Sequence, residues 1–447
     1  MHRRDFLQFA AMTGLAVAAP IRQARAAVQP HPGPYYVFVS ARGGWDPTYF
    51  CDPKPKDPAK FNRIYNYNAE AHKVGNIPYA NIPVSGAALG LGAEADPYLM
   101  SAKDFFTAHG EQLLLINGIN TETNNHSRGV KTAFSGRGDR DYPALAAMIA
   151  ADKAPEHPLA FISSGGYANS GNLLPVTRLN SITSFQKIAS PNLVNVNDPE
   201  GPTYHHPDTF QRISDAQASR TMELINKQDL PRGKRSANEL YIARGSMDQL
   251  STVELPTLVD LPGNMGDLER MMQQTQLALS AFKSGLAVSA NIELGGFDTH
   301  ANHDISQVRQ LAKLFHGIDY LLAQATEAGL INELVIFVGS DFGRGKGYNG
   351  PGAADGKDHW PVTSMMVLSG DPGIVKGNRL IGATTVDSQL PMTVDPSTLD
   401  LLDDPEEGTQ IKWGHIHKAI RNFVGIDEEH PFAKQFPLLA EDLPLFE

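Results

Sequence analysis

The 447-residue chain contains a single cysteine, Cys51. An intramolecular disulfide and a thiolate metal cluster are therefore both excluded, and stability in an oxidising compartment must come from the core. Cys51 lies five residues after Asp46 and reads as a buried, inert thiol. Charge is sparse and not basic: 19% of residues are charged and the formal net charge is −11. That balance argues against non-specific binding to nucleic acid or to an anionic membrane. It leaves room for an anionic substrate, because a bound metal dominates its local field. Beyond the first two dozen residues no run is apolar enough to cross a bilayer, so no transmembrane anchor is expected after processing. Internal repeats of solenoid type are absent. The segment Gly343-Arg-Gly-Lys-Gly347 lacks the spacing and terminal Lys-Ser/Thr of a phosphate-binding Walker loop. What is present, 41% hydrophobic residues over this length, describes a globular protein with ample core, one large α/β domain or two ordinary ones.

The amino terminus carries an export pattern. Arg3-Arg4-Asp-Phe-Leu is a twin-arginine motif, Phe6 to Ile21 is a short apolar stretch broken by Gly14 and Pro20, and Ala24-Arg-Ala26 offers a small-x-small cleavage site. Residues 1–26 are thus expected to be a signal peptide handled by the twin-arginine translocase, which places the mature protein in the periplasm or outside the cell. Their removal takes away four arginines and one aspartate and leaves the chain more acidic.

The mature part, from residue 28 onward, alternates short apolar runs with helical periodicity. Strands are expected at 35–40, 112–117, 159–163, the run ending before Asp298, 334–339 and 364–368. Helices are expected at 101–109, through Phe134, near 208–228 and 235–250, at 268–282 and at 305–328. Residues 52–95 read as loop and turn, and about 165–260, polar and proline-rich, as a cap inserted between core elements. Continuous apolar strands separated by helices predict an α/β fold, a mostly parallel sheet covered on both faces. Such sheets place chemistry at the carboxyl ends of their strands.

Three apolar runs end in an aspartate near that edge: Asp46 after Gly-Gly-Trp, Asp298 after Gly-Gly-Phe, and Asp341 after Gly-Ser. The stretch Asp298-Thr-His300-Ala-Asn-His303 supplies a carboxylate and two imidazoles within six residues. Asp358-His359 precedes the run at 364–368 and would enter the same rim. Carboxylates mixed with imidazoles suit zinc first, then manganese or iron, rather than an all-oxygen calcium site. One or two divalent ions bound there could hold a phosphoryl or sulfuryl oxygen. His205 and His206, flanked by prolines in the expected cap, read as exposed loop residues, and Trp45, Phe297 and Trp360 as packing residues.

Arg42-Gly-Gly-Trp-Asp46, Asn125-His126 with Gly136 ten residues on, Gly295-Gly-Phe-Asp-Thr-His300, Ser340-Asp-Phe-Gly-Arg344 and Asp358-His359 occur in this order. Together they resemble the exported domain-of-unknown-function 1501 family, grouped with the alkaline-phosphatase/sulfatase superfamily, over roughly residues 35–425. The resemblance implies a three-layer α/β/α sandwich, alkaline-phosphatase-like, with a metal site at the strand ends. It implies Asp46 as the first-strand ligand, Asp298 with His300 or His303 on one metal, Asp341 on the other, and Asp358-His359 as the late ligand motif. The chain departs from alkaline phosphatases at Phe342, where a histidine ligand would follow the aspartate. His300 or His303 could substitute, or the site could hold one ion. Phosphatases and sulfatases place their nucleophile at the start of the helix after the second strand. There the chain has Asn125, then His126, with Ser127 as nucleophile, Arg128 as anion clamp and Thr123 behind them. Water activated at the metal is the alternative, and Arg344 is a second candidate for transition-state stabilisation.

Two functions fit. One is an exported metal-dependent hydrolase of a small anionic phosphate or sulfate ester. The other is a non-catalytic binding or surface-assembly protein on the same scaffold. The hydrolase reading expects Asp46, Asp298, His300, Asp341 and His359 to converge.

Overall fold

The computed structural model describes residues 31–447 except 58–59, 140–141, 180, 199, 231–232, 235, 239, 242–252, 254–255 and 405. The expected signal peptide and most of the helix expected at 235–250 lie outside the described residues.

Eight strands make the central sheet: β1 (Tyr35–Ala41), β2 (Leu113–Asn120), β3 (Phe161–Ser163), β4 (Thr177–Arg178), β5 (Ser289–Leu294), β6 (Leu334–Gly339), β7 (Val362–Ser369) and β8 (Arg379–Ile381). Their spatial order is β8-β2-β7-β6-β1-β5-β3-β4. Every pairing is parallel except those of β7, which runs antiparallel to both β2 and β6. The reversal has a local cause. The chain leaves β6 through a hairpin, Gly343–Tyr348 paired with Lys357–Trp360, instead of a crossover helix. It therefore re-enters the sheet from the edge at which β6 left it.

β1 lies inside the sheet and is buried on both faces. Val37, Val39 and Ala41 point into one core, Tyr36 and Phe38 into the other. The described helices are α1 (Ala102–His109), α2 (His126–Ser135), α3 (Leu145–Lys153), α4 (Ile182–Ala189), α5 (Pro207–Lys227), α6 (Gly266–Lys283), α7 (His303–Glu327), α8 (Trp413–Phe423) and α9 (Pro431–Gln435). Phe105 of α1, Phe282 of α6 and Phe315 of α7 belong to the first core. Phe134 of α2, Ile149 of α3 and Ile420 of α8 belong to the second. The molecule is thus a three-layer α/β/α sandwich.

Helix α3 was invisible to periodicity because Leu145 to Ala151 is buried all round, and a helix without a polar face carries no 3.6-residue signal. The region 165–260 does not stand wholly apart from the sandwich. Thr177–Arg178 forms the edge strand, and Phe185 of α4 joins the first core. Helix α5, by contrast, buries only Thr221 and Ile225. Among the described residues no helix is long and apolar enough to cross a membrane.

Helix α8 is tied to α2 through His417, whose buried Nε2–H donates to the Ala133 carbonyl at 2.9 Å. Burial, opposed by that hydrogen bond, brings the imidazole down from 6.5 to about 3. The folded protein therefore keeps His417 neutral where the unfolded chain would protonate it. Its contribution to stability is complete above pH 6.5 and is lost as pH falls from there toward the depressed value. Urea unfolding followed from pH 7 to pH 4 should show stability declining by up to about 1.4 kcal/mol per pH unit from this residue. His417→Asn should remove that part of the slope.

Candidate metal centre

Four loops meet at the carboxyl edge of the parallel strands. Residues 42–46 follow β1, 295–300 follow β5, 340–341 follow β6, and 121–125 connect β2 to α2. Two glycines allow these backbones to come together. Gly43 has φ of 118°, and a Cβ there would lie 2.5 Å from the Asp298 amide nitrogen. At Gly129 in α2 a Cβ would lie 2.6 Å from the Asp341 carbonyl oxygen. Any larger residue would push α2 off the end of β6.

Three imidazoles surround one carboxylate. The Nε2 atoms of His126, His300 and His359 lie 3.4, 3.1 and 3.2 Å from the nearer oxygen of Asp298, and those of His300 and His359 are 2.9 Å apart. Each ring has its other nitrogen beside an oxygen acceptor. His126 Nδ1 faces Asp341 Oδ2 at 2.5 Å, His359 Nδ1 faces the Asn124 carbonyl at 2.8 Å, and His300 Nδ1 faces Asp358 Oδ1 at 3.5 Å. A proton on each Nδ1 satisfies those acceptors and leaves three Nε2 lone pairs directed at an anion. His126 Nε2 is buried with no hydrogen-bond partner. Lone pairs gathered around a carboxylate repel one another unless a cation lies among them. His126, Asp298 and His359 bring ligand atoms within 4.8 Å of one another, close enough to hold a metal ion, and His300 stands beside them.

Asp298 is held as an anion. Its partial burial favours the protonated form, but the Arg344 hydrogen bond and charge, with help from His359 and His126, bring the carboxyl down to about 2. Arg344 is fully buried; it reaches Asp298 Oδ1 at 2.6 Å, the Gly44 carbonyl at 2.9 Å, the Lys357 carbonyl at 3.2 Å, and also the Gly43 carbonyl. All three guanidinium nitrogens are thus engaged by the protein itself, which corrects the expectation that Arg344 clamps a transition state. Asp341 is buried and held by its own neighbours. Its Oδ1 accepts from the Gly43 amide at 3.0 Å, with the Ser340 hydroxyl, which also reaches the Ala41 carbonyl at 2.6 Å, 3.1 Å away, and its Oδ2 faces His126. Asp341 orients a histidine where a metal ligand was expected. Phe342, next to Asp341, packs against His126 and His359 with ring centroids 4.6 and 4.4 Å away.

Two expected ligands go elsewhere. Asp46 and His303 are completely buried, with His303 Nε2 at 3.0 Å and the Lys357 ammonium at 2.7 Å from Asp46 Oδ2. Asp46 Oδ1 accepts from the Thr48 amide and hydroxyl at 3.0 and 2.7 Å. His303 Nδ1 is taken by the Thr299 hydroxyl at 2.8 Å. Burial, then the charge of Lys357, lowers His303 to about 4, so a neutral ring donates to Asp46. Burial would raise the Asp46 carboxyl, but Lys357 and His303 outweigh it and hold it well below the usual range. Every ligand atom of both residues is in use, so Asp46 stands outside the cluster; of the five residues expected to converge, Asp298 and His359 lie within mutual ligand reach together with His126, His300 lies beside them, and Asp341 joins through His126. Asp358 faces His300 Nδ1 at 3.5 Å and is otherwise exposed among the described residues.

Ser127 and Arg128 are exposed in the first turn of α2, directly after His126. Asn125 caps the helix by accepting from the Arg128 amide at 3.1 Å. The Arg128 guanidinium has no partner among the described residues, which leaves it available to an anion. Cys51 is buried with its Sγ at 3.3 Å from Asn117 Oδ1, and burial raises its thiol well above the ordinary value.

Sequence reasoning missed Lys357, the counter-ion of Asp46, although it stands next to Asp358. Nothing in its residue type announces burial. Also missed were Tyr49, Tyr348 and Asp304 around it. Tyr348 Oη donates to Asp304 at 2.6 Å, Tyr49 Oη also reaches Asp304, and both rings lie within 5.2 Å of the Lys357 ammonium.

A three-layer sandwich with a histidine–aspartate centre at the carboxyl ends of its strands is therefore the class of protein. Residues 35–404 match the family described as "Protein of unknown function (DUF1501)", and the chain belongs to that family. No curated protein matches it. Among solved structures it is similar to Ps i-CgsB in complex with k-i-k-neocarrahexaose, at 8% identity and a TM-score of 0.41, over 93% of this chain and 75% of that one. The PsFucS1 sulfatase from Pseudoalteromonas sp. aligns at 12% identity and a TM-score of 0.36, over 92% and 72% of the two chains. A TAB5 alkaline phosphatase mutant with Mg bound in its M3 site aligns at 12% and 0.29, over 76% and 91%.

Lys357→Met should destabilise the protein by about 3–5 kcal/mol in chemical denaturation, because it strands the buried Asp46 charge. The double change Lys357→Met/Asp46→Leu should recover part of that loss.

Proposed function

We propose that the protein is an exported metal-dependent hydrolase of phosphate or sulfate esters. The observation that carries this is the convergence of three imidazole Nε2 atoms on the Asp298 carboxylate at a solvent-accessible strand edge. His126, His300, His359 and Asp298 would hold one divalent ion, zinc in the first instance with manganese or iron as alternatives. One ion is favoured over two because Asp46 and His303 are sealed in their own cluster and Asp341 is buried against the Gly43 amide and His126. Such an ion supplies Lewis acidity toward an ester oxygen.

The chain's own groups favour an anionic ligand beside it. The α2 amino terminus presents the His126 and Ser127 amides, which have no partner among the described residues, and such amides attract anions. Arg128 adds a free guanidinium to the same turn, suited to bidentate contact with phosphate or sulfate oxygens. Ser127 is the hydroxyl on that turn and is assigned as nucleophile, with solvent water as the alternative. Asp298 remains ionised, and Asp341, Asp358 and the Asn124 carbonyl orient the three rings. Export follows from the Arg3-Arg4 motif, and the twin-arginine translocase would carry the chain already folded around its ion.

Elemental analysis of the mature protein should find about one equivalent of a transition metal, lost in Asp298→Ala/His300→Ala with the fold retained. Asp341→Asn should weaken metal affinity by about 10–100-fold, since it releases the His126 ring without removing a ligand. Purified protein should hydrolyse aryl phosphate or aryl sulfate monoesters, and Ser127→Ala should abolish turnover if Ser127 attacks, or spare it if water does. A folded protein without metal in either form would turn the assignment to the non-catalytic binding role. The hydrogen bond to Asp341 raises His126 above its ordinary value, and a proton there competes with the ion. Metal retention in dialysis should therefore fall as pH drops below that raised value.

A further inference from the structure

His300 differs from the other two imidazoles of the centre in how it is held. His126 meets the buried Asp341 at 2.5 Å, and His359 meets the Asn124 carbonyl at 2.8 Å. The His300 ring has a looser tether, Asp358 at 3.5 Å, and both of those side chains are open to solvent. Its place in the cluster is therefore set chiefly by its backbone. Residues 354–357 flank that backbone on both sides. The Lys357 amide donates to the Thr299 carbonyl at 3.2 Å, the Asn302 amide to the Ala354 carbonyl at 2.7 Å, and the His303 amide to the Asp355 carbonyl at 3.1 Å. Ala301 and Asp355 form an antiparallel bridge. Gly356 lies so close that a Cβ there would be 1.9 Å from the His300 carbonyl carbon.

The turn carrying these residues has few side chains with which to hold itself. Gly350-Pro-Gly-Ala-Ala354 is a run of small residues, and 351–354 are exposed. Asp355 folds the turn back through the Gly352 amide. From outside the hairpin, Arg63 closes on it. The guanidinium donates to the Gly350 carbonyl at 2.5 Å and to the Gly352 carbonyl, and lies 3.8 Å from the Asp355 carboxylate. It also stacks over the Tyr348 ring, 3.6 Å from the centroid, where the turn begins. One planar cation thus gathers two carbonyls, a carboxylate and a ring face, which its fixed fork of donors allows. The side chain is 13% exposed.

We propose that Arg63 is a positioning residue for His300. It fixes the 350–355 turn, and the turn fixes the backbone from Thr299 to His303. The inference rests on the assignment of His300 beside the ion in the proposed metal centre. An arginine from a segment that reads as loop then governs how tightly the centre closes on its ion.

The test is zinc titration of the metal-free, full-length protein against a competing chelator, in a double-mutant cycle of Arg63→Met and His300→Ala. His126, Asp298 and His359 keep their mutual ligand reach without His300, so both arms of the cycle bind measurably. Releasing a ligand from its outer support costs about tenfold or more in metal affinity. Arg63→Met should therefore weaken zinc by about tenfold when His300 is present, and by less than about twofold when it is alanine. Hydrogen exchange in the metal-free protein gives a second readout. Arg63→Met should speed exchange of the Asn302 and His303 amides by at least about tenfold and leave those of β1 and α8 unchanged. Arg63→Lys keeps the charge beside Asp355 but cannot serve both carbonyls and the ring, and should fall between. It also stands in if the methionine variant does not fold. An equal loss of zinc affinity in both backgrounds, or faster exchange throughout the sandwich, would mean a general structural role and overturn the proposal. Zinc binding unchanged by Arg63→Met would overturn it too. A wild type that takes up no zinc would instead overturn the metal-centre assignment itself, and the role of Arg63 with it.

Discussion

Arg344 is the interaction on which the centre depends. Its guanidinium joins the loop after β1, through the Gly43 and Gly44 carbonyls, to the loop after β5, through Asp298, and to the hairpin before β7, through the Lys357 carbonyl. A planar cation with a fixed fork of donors suits this task, where a lysine's single ammonium could not face so many directions. The same contact keeps Asp298 ionised in front of three imidazoles. Position and charge state of the central carboxylate thus follow chiefly from one side chain that never reaches solvent.

The hairpin residue Lys357 then couples this wet cluster to a dry one. Its carbonyl accepts from Arg344, while its ammonium is bound to Asp46 and to the Phe61 carbonyl at 2.6 Å. Two aspartates from closely similar Gly-Gly-aromatic-Asp motifs consequently have different duties. Asp298 is about half exposed and faces histidine nitrogens; Asp46 is sealed and faces an ammonium. Burial, not residue type, separates a candidate ligand from a structural ion pair, since a desolvated carboxylate needs a permanent counter-charge.

The same rule of pairing makes the α8 side of the molecule informative. Where the fold buries a cation elsewhere it supplies an acid from the chain. At Arg421 the described residues supply the Phe436 carbonyl.

The apolar runs at 35–40, 334–339 and 364–368, the amphipathic runs at 268–282 and 305–328, and the Asp298-Thr-His300 and Asp358-His359 motifs were legible from residue order, because periodicity and strand-end punctuation are local properties. The membership of Asp298, His300 and His359 in one cluster could be anticipated from the rule that parallel strands collect function at their carboxyl ends. The antiparallel course of β7, the all-round burial of α3, the diversion of Asp46 and His303 to Lys357 and the spending of Arg344 on backbone carbonyls could not. Each depends on which atoms from distant segments share a desolvated space. Sequence alone determined the residue types, their strand-end placement and the layered fold. Tertiary structure decided which carboxylate stays open and which is neutralised, because pairing and burial are properties of the packed chain.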